Sequence, residues 1–260
     1  MALKVKRVAV LGGGGFIGSH LVKYLVNKGY WVRAVDIKQT QFSNSPADEY
    51  MRCDLTFLYD CVEATKDVDE VYQLAAEMGG MGFISNNHRA AFYNSNLINT
   101  YVAEACAMNG VKKVFFSSSA CVYPNYMQND DKKNVMVEAD VLPAEPNEAY
   151  GWEKLFSELR YLSYGAEGRF QTRIARFENC YGPEGTFKGG REKAPAALCR
   201  KVSEAEDGEF VEVWGDGGAI RSFMYVDDCV EGIFKIMESD INTPVNLGSD
   251  EIVTINDLAH

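Results

Sequence analysis

The chain has 260 residues, 47% of them hydrophobic and 24% charged, with a formal net charge of -11 at pH 7. That size and balance describe a soluble globular chain: one large domain, or a large domain with a smaller one attached. The acidic balance excludes nucleic acid and an anionic membrane surface as expected partners, since both call for a basic face. No stretch approaches the ~20 apolar residues of a membrane span.

Seven cysteines, an odd number without a Cys-x-x-Cys pair, read as free thiols of a reducing, cytoplasmic compartment. The start MALKVKR leads straight into a strand pattern and shows no secretory leader. His20, His88 and His260 are scattered, so no metal site is expected.

Residues 7–11 (RVAVL) form a short continuous apolar run, the pattern of a strand buried on both faces. The run ends in Gly12-Gly-Gly-Gly15-Phe16-Ile17-Gly18, and a helical pattern follows as far as Gly29. Glycines at 12, 15 and 18 allow, in turn, a tight turn, a close approach of a diphosphate to the backbone, and close helix–strand packing. Residues 31–35 make the second strand, and Asp36 at its end is placed to accept a hydrogen bond from an adenosine ribose and to repel a 2′-phosphate. This order of strand, glycines, helix, strand and acid predicts a dinucleotide site that prefers NAD to NADP.

The alternation then repeats. A strand over 50–53 leads to Asp54 and Leu55, a helix covers about 57–66, and a strand over 71–74 opens into Ala75 and a glycine-rich stretch around Gly79. A long helix covers about 87–109, and a strand over 111–118 carries the serines of VFFSSSACVYP, residues 114–124. Strands alternating with helices predict right-handed crossovers and a parallel sheet covered on both faces, the α/β Rossmann-like doubly wound architecture. Ligands of such sheets bind beyond the C-terminal strand ends, where Gly12, Asp36, Ala75 and Ser119 fall.

Tyr150 and Lys154 are four residues apart, which puts both on one face of a helix expected over 147–163. With Ser119 they make a proton-transfer unit. Ser119 hydrogen-bonds a substrate hydroxyl, Tyr150 takes its proton, and the cation of Lys154 lowers the Tyr150 pKa. A sixth strand covers 171–177, and residues 179–195 are too rich in glycine and proline for regular structure, reading as a substrate loop that leads into a helix near Pro195. Trp214 begins a turn, and Asp227 is expected to cap a helix that ends near Met237. A cofactor domain is thus expected over 1–175 and substrate-binding segments, interleaved with late Rossmann elements, over 176–260. The helix beginning near Asn256 predicts further chain beyond His260.

These residues resemble the extended branch of the short-chain dehydrogenase/reductase family. GGGGFIGSHL is similar to its cofactor loop, SSSACVYP to its serine strand and YGWEK to its Tyr-x-x-x-Lys, and the likeness spans essentially the whole chain. Within the family, residues 75–88, 118–124 and 186–201 resemble the members that epimerise GDP-hexoses at C3 and C5. The resemblance implies bound NAD, a nucleotide-sugar substrate of the GDP-hexose type and a homodimer formed through the helices over 87–109 and 147–163. The cofactor would lie against Gly12, Gly15, Phe16, Ile17, Gly18, Asp36, Asp54, Leu55, Ala75, Tyr150 and Lys154. The sugar nucleotide would lie against Gly79, Ser119, Ala120, Cys121, Asn179, Glu192, Lys193, Ala194, Lys201 and Arg221.

The chemistry so implied oxidises the sugar at C4 with Tyr150 as base. The 4-ketone acidifies C3–H and C5–H, and Cys121 as base and Lys193 as acid exchange those protons with inversion before the hydride returns. A cysteine suits the base role when positive charge lies near it, and Lys193 and Arg191 are the candidates. Two residues depart from the family pattern: Leu11 stands where Thr is usual, and Glu178 where these epimerases typically have His. Alternatives within the family are a 4-epimerase, which needs neither Cys121 nor Lys193, and a GDP-4-keto-6-deoxyhexose epimerase-reductase, whose NADPH Asp36 would disfavour.

Overall fold

The computed structural model describes residues 5–128, 136–146, 148–213 and 215–260. Asn147 and Trp214, placed by the sequence at a helix start and in a turn, lie outside them. Seven strands form one sheet in the order β3-β2-β1-β4-β5-β6-β9, with every neighbouring pair parallel. They are β1 (Arg7–Leu11), β2 (Trp31–Asp36), β3 (Glu49–Arg52), β4 (Glu70–Gln73), β5 (Lys113–Ser119), β6 (Gln171–Phe177) and β9 (Val245–Leu247).

The sheet is apolar on both faces, and the strand period of two sorts its side chains into two cores. Ala9, Leu11, Val71, Val114, Phe116 and Ile174 pack under α2 (Leu58–Thr65), α4 (His88–Met108) and α6 (Glu148–Ala166). Val8, Val10, Val32, Ala34, Phe115 and Ala175 pack under α1 (Phe16–Asn27) and α8 (Val226–Glu238). Tyr161 of α6 stacks on Phe116 with ring centroids 4.8 Å apart, fixing the helix that carries Tyr150 to the strand that carries the serines.

β7 (Asn179–Tyr181), β8 (Ile220–Tyr225) and β10 (Ile252–Thr254) make a second sheet of three strands, with β8 parallel to β7 and antiparallel to β10. The remaining helices are short except α7 (Ala194–Glu204): α3 (Met81–Ile84), α5 (Asn125–Gln128) and α9 (Ile255–Ala259). One expected cap is corrected. Helix α8 starts at Val226 with Tyr225 at its N-cap, so Asp227 and Asp228 lie in the first turn. There their charges favour the positive end of the helix.

Candidate active site

The turn after β1 is built around glycine. Gly12 has φ +83°, and a Cβ there would stand 2.9 Å from the backbone nitrogen of Ala75. A Cβ on Gly18 would stand 2.0 Å from the carbonyl oxygen of Gly12, so α1 can approach β1 only because that atom is missing. Gly15 occupies the N-cap of α1 and no side chain caps the helix, which leaves its first N–H groups for an anion. Asp36 accepts from Gly14 N at 3.0 Å and from Lys38 N at 3.2 Å. Burial pushes this carboxyl up, and those two N–H groups pull it down. A glycine cradle, an uncapped helix start and a carboxylate at the end of β2 fit the diphosphate and ribose of a dinucleotide.

Phe16, Glu184 and Thr186 line a cleft over this turn together with Gly14, Gly15 and Lys38. The segment after β7 reaches it through a Lys23–Glu184 ion pair at 2.8 Å. Ile17 is partly buried in the α1 core. Asp54 accepts from both the backbone and the hydroxyl of Thr56, and Leu55 is 3% exposed beneath α2. Ala75 is held by the side chain of Gln73, which donates to its carbonyl oxygen at 2.9 Å and accepts from its N–H at 3.2 Å.

Beyond β5 the chain enters a 3-10 turn, Ala120–Val122, whose N-cap is Ser119; its side chain accepts from Cys121 N at 3.2 Å. The turn rests on α6 at Gly151, where a Cβ would stand 2.3 Å from the carbonyl oxygen of Cys121. Glycine between Tyr150 and Trp152 thus lets the cysteine turn and the tyrosine helix meet. Cys121 is partly exposed and close enough to Tyr150 to act on its charge. Burial pushes the Tyr150 phenol well up, Cys121 and Glu153 push the same way, and a hydrogen bond with Ser119 pulls it down. The phenol also donates to Met78 Sδ at 3.8 Å.

Lys154 is 2% exposed. Its ammonium bonds the Ser117 carbonyl oxygen at 2.8 Å and stands 5.7 Å from the Tyr150 ring centroid. Burial pulls Lys154 down, and Glu153 and Glu158 hold it up. The sequence assigned the lowering of the Tyr150 pKa to Lys154. In the structure the hydrogen bond that lowers it comes from Ser119, and burial outweighs it.

Several of these residues escaped the sequence reading. Glu153, fully buried, accepts from Asn99 Nδ2 at 2.8 Å, and Asn99 Oδ1 accepts from Gln73 at 3.0 Å. One polar chain therefore links the cofactor edge at Ala75 to the residue beside Lys154. Its signal was a Gln in a buried strand and, among three asparagines of α4, the one on the face that packs on the core.

Arg191, expected to lend charge to Cys121, is engaged elsewhere. It pairs with Glu77 at 2.7 Å, donates to the carbonyl of Met78 at 3.1 Å and lies over the ring of Phe83. Gly79 packs against Phe83 and Arg191, where a Cβ would be 2.7 Å from Phe83 Cβ.

Lys193 is the N-cap residue of α7, followed by Ala194, and acts electrostatically on Glu178 and Cys229. Glu192 Oε1 is 4.0 Å from Arg200, and its Oε2 is buried without a partner. Asn179 donates to the Ser222 carbonyl at 3.2 Å, Lys201 to the Glu212 carbonyl at 2.6 Å and Arg221 to the Ile220 carbonyl at 2.7 Å. Among the described residues no group of acidic, His or Cys side chains could hold a metal ion.

A parallel sheet of this order, a glycine cradle at its first strand and a Ser-Tyr-Lys unit at its fifth define a dinucleotide-dependent enzyme of the short-chain dehydrogenase/reductase type. The chain belongs to the NAD dependent epimerase/dehydratase family, which it matches over residues 8–248. It is 44% identical to the GDP-mannose 3,5-epimerase of Arabidopsis thaliana over 97% of this chain and 67% of that protein. The same figures hold for GDP-mannose 3,5-epimerase 1 of Oryza sativa subsp. indica. The structure resembles a UDP-glucose 4-epimerase of Thermus thermophilus in complex with NAD, with a TM-score of 0.83 and 25% identity, covering 97% of this chain and 81% of that one.

Proposed function

We propose that this chain is an NAD-dependent nucleotide-sugar epimerase that inverts C3 and C5 of GDP-mannose, giving GDP-L-galactose, or GDP-L-gulose where C5 alone inverts. The cysteine turn carries the reading: its backbone abuts α6 at Gly151, next to Tyr150, and the Cys121 thiol acts on the charge of the Tyr150 phenol. A 4-epimerase has no use for that thiol. The 44% identity to curated 3,5-epimerases supports the same choice.

NAD, when bound, would supply a reversible hydride acceptor at C4. The glycine turn and the uncapped start of α1 would hold its diphosphate, and Asp36 would accept from its adenosine ribose. Ser119 hydrogen-bonds the C4 hydroxyl and pulls the pKa of the Tyr150 phenol down, Tyr150 takes the hydroxyl proton, and Lys154 holds the helix of Tyr150 to the strand end through the Ser117 carbonyl. Cys121 takes the proton at C3 or C5 from one face and Lys193 delivers one from the other. In this reading residues 1–175 hold the cofactor, and 176–260 supply the segments that meet the sugar.

A homodimer and a cytoplasmic setting belong to the same reading. Trp152, Phe156 and Leu159 are 47%, 53% and 62% exposed along one face of α6, an apolar stripe suited to a second copy of the chain. Sedimentation of Leu159→Asp tests this, and an unchanged mass would remove it. Seven free thiols suit a reducing compartment, and no described helix is long and apolar enough to cross a membrane.

The function is tested by incubating the protein with GDP-mannose, without added cofactor, and resolving the sugars by NMR. Products inverted at C3 and C5 support it. Inversion at C4 alone would move the assignment to a 4-epimerase.

A further inference from the structure

Glu178 links the sixth strand to the seventh, between Phe177 and Asn179, where the main sheet hands over to the small one. Its N–H donates to the Leu247 carbonyl at 3.0 Å, so the backbone is fixed to β9. The side chain passes over Gly248, where a Cβ would stand 2.4 Å from Glu178 Cγ. The fold thus leaves a glycine-sized gap for this carboxylate.

Two candidate substrate cations, Lys193 and Arg221, act on the carboxylate from separate segments. Among the described residues its oxygens accept no hydrogen bond and form no ion pair, although the residue is largely buried. Burial pushes the carboxyl up, and Lys193 and Arg221 pull it back. Its oxygens are not among the buried atoms left without a partner, so they open to solvent, where a ligand hydroxyl can reach them.

We propose that Glu178 is a sugar-recognising residue whose carboxylate accepts hydrogen bonds from ring hydroxyls of the hexose. This rests on the nucleotide-sugar reading above and goes beyond it, because it assigns a contact that the resemblance did not supply. A carboxylate at this point accepts hydroxyl protons and repels a second carboxylate, so it selects a neutral hexose over a hexuronate. The nucleoside diphosphate gains nothing from it.

The test measures the increment of the sugar over the bare nucleotide. Binding of GDP, GDP-mannose, UDP and UDP-glucose to the NAD-loaded protein is measured by calorimetry for the wild type, Glu178→Gln and Gly248→Ala. Glu178→Gln keeps the shape and removes the charge, and Gly248→Ala displaces the carboxylate without changing it. Both variants are expected to weaken the sugar nucleotide about 10- to 100-fold, the range of a hydrogen bond to a charged group, while the bare diphosphate binds as before.

Equal binding of the sugar nucleotide by wild type and Glu178→Gln would overturn the proposal, as would an equal loss for GDP and GDP-mannose. If UDP-glucose rather than GDP-mannose shows the increment and Glu178→Gln removes it, the GDP-mannose assignment fails and the role of Glu178 stands. A wild type that binds no sugar more tightly than the bare nucleotide overturns both. Should Glu178→Gln fail to fold, Glu178→Asp, which withdraws the charge by one methylene, reads the same increment.

Discussion

The ammonium of Lys154 donates a 2.8 Å hydrogen bond to the carbonyl oxygen of Ser117. That bond ties the helix of Tyr150 to the strand end that presents Ser119, so base and hydroxyl partner move as one unit. Lys154→Met removes the cation and its hydrogen bond to the buried Ser117 carbonyl. Turnover is expected to fall about 100-fold or more, the usual weight of a positioned acid–base group, with a stability loss of about 1–3 kcal/mol. Steady-state rates and thermal melts separate the two. Arginine is not expected to rescue, because its planar fork does not fit the space of a compact ammonium.

In the proposed mechanism Ser119 lowers the pH at which Tyr150 works, against the larger upward push of burial. Its hydrogen bond pulls down a phenol that burial has pushed up. In that mechanism the phenolate accepts the C4 hydroxyl proton, so the rate is expected to rise with pH through the Tyr150 pKa. Ser119→Ala removes the lowering contribution, and the acidic limb of the kcat profile is expected to move to higher pH. A limb that stays in place, or moves down, would contradict this.

Gly151 is where the cysteine turn meets α6, with 2.3 Å between a hypothetical Cβ and the Cys121 carbonyl oxygen. Gly151→Ala must push the turn away from the helix, at the ~1–3 kcal/mol typical of overpacking. Because the displaced group carries Cys121, activity is expected to fall further than stability. Denaturant midpoints and exchange rates measured on one preparation give the comparison.

Arg176 and Glu158 form a buried pair of 2.8 Å between β6 and α6, each side chain 3% exposed. Ser118 also donates to Glu158, and Arg176 donates to the Tyr123 hydroxyl at 3.1 Å. Arg176→Met leaves a buried carboxylate without its cation and is expected to cost about 3–5 kcal/mol in urea unfolding. The double variant with Glu158→Leu should recover part of that loss, since the uncompensated charge is gone. A single variant as stable as the wild type would show that the pair contributes nothing.

Much of this was legible from residues close together in the chain. The glycines at 12, 15 and 18 and the four-residue step from Tyr150 to Lys154 are set by local backbone geometry, and the acid at 36 by a single strand–helix–strand unit. Contacts that depend on distant segments left no such trace. The Arg191–Glu77 pair joins residues 114 apart, and the Gln73–Asn99–Glu153 chain spans three elements. Asp227 was misread because an acid in the first turn of a helix and an acid at its N-cap look alike until the helix start is known. The second sheet pairs β8 with two strands from either side in sequence, which strand periodicity cannot announce.

The central claim is that Cys121 and Lys193 exchange the protons flanking a transient C4 ketone made by Tyr150. It is tested most directly by incubating wild type and Cys121→Ala with GDP-mannose in deuterium oxide and reading deuterium at C3 and C5 by NMR. The account predicts deuterium at both carbons with the wild type and its loss, by about 100-fold or more, in the variant, which still binds NAD. Equal exchange in the two proteins, or none in the wild type, would contradict it.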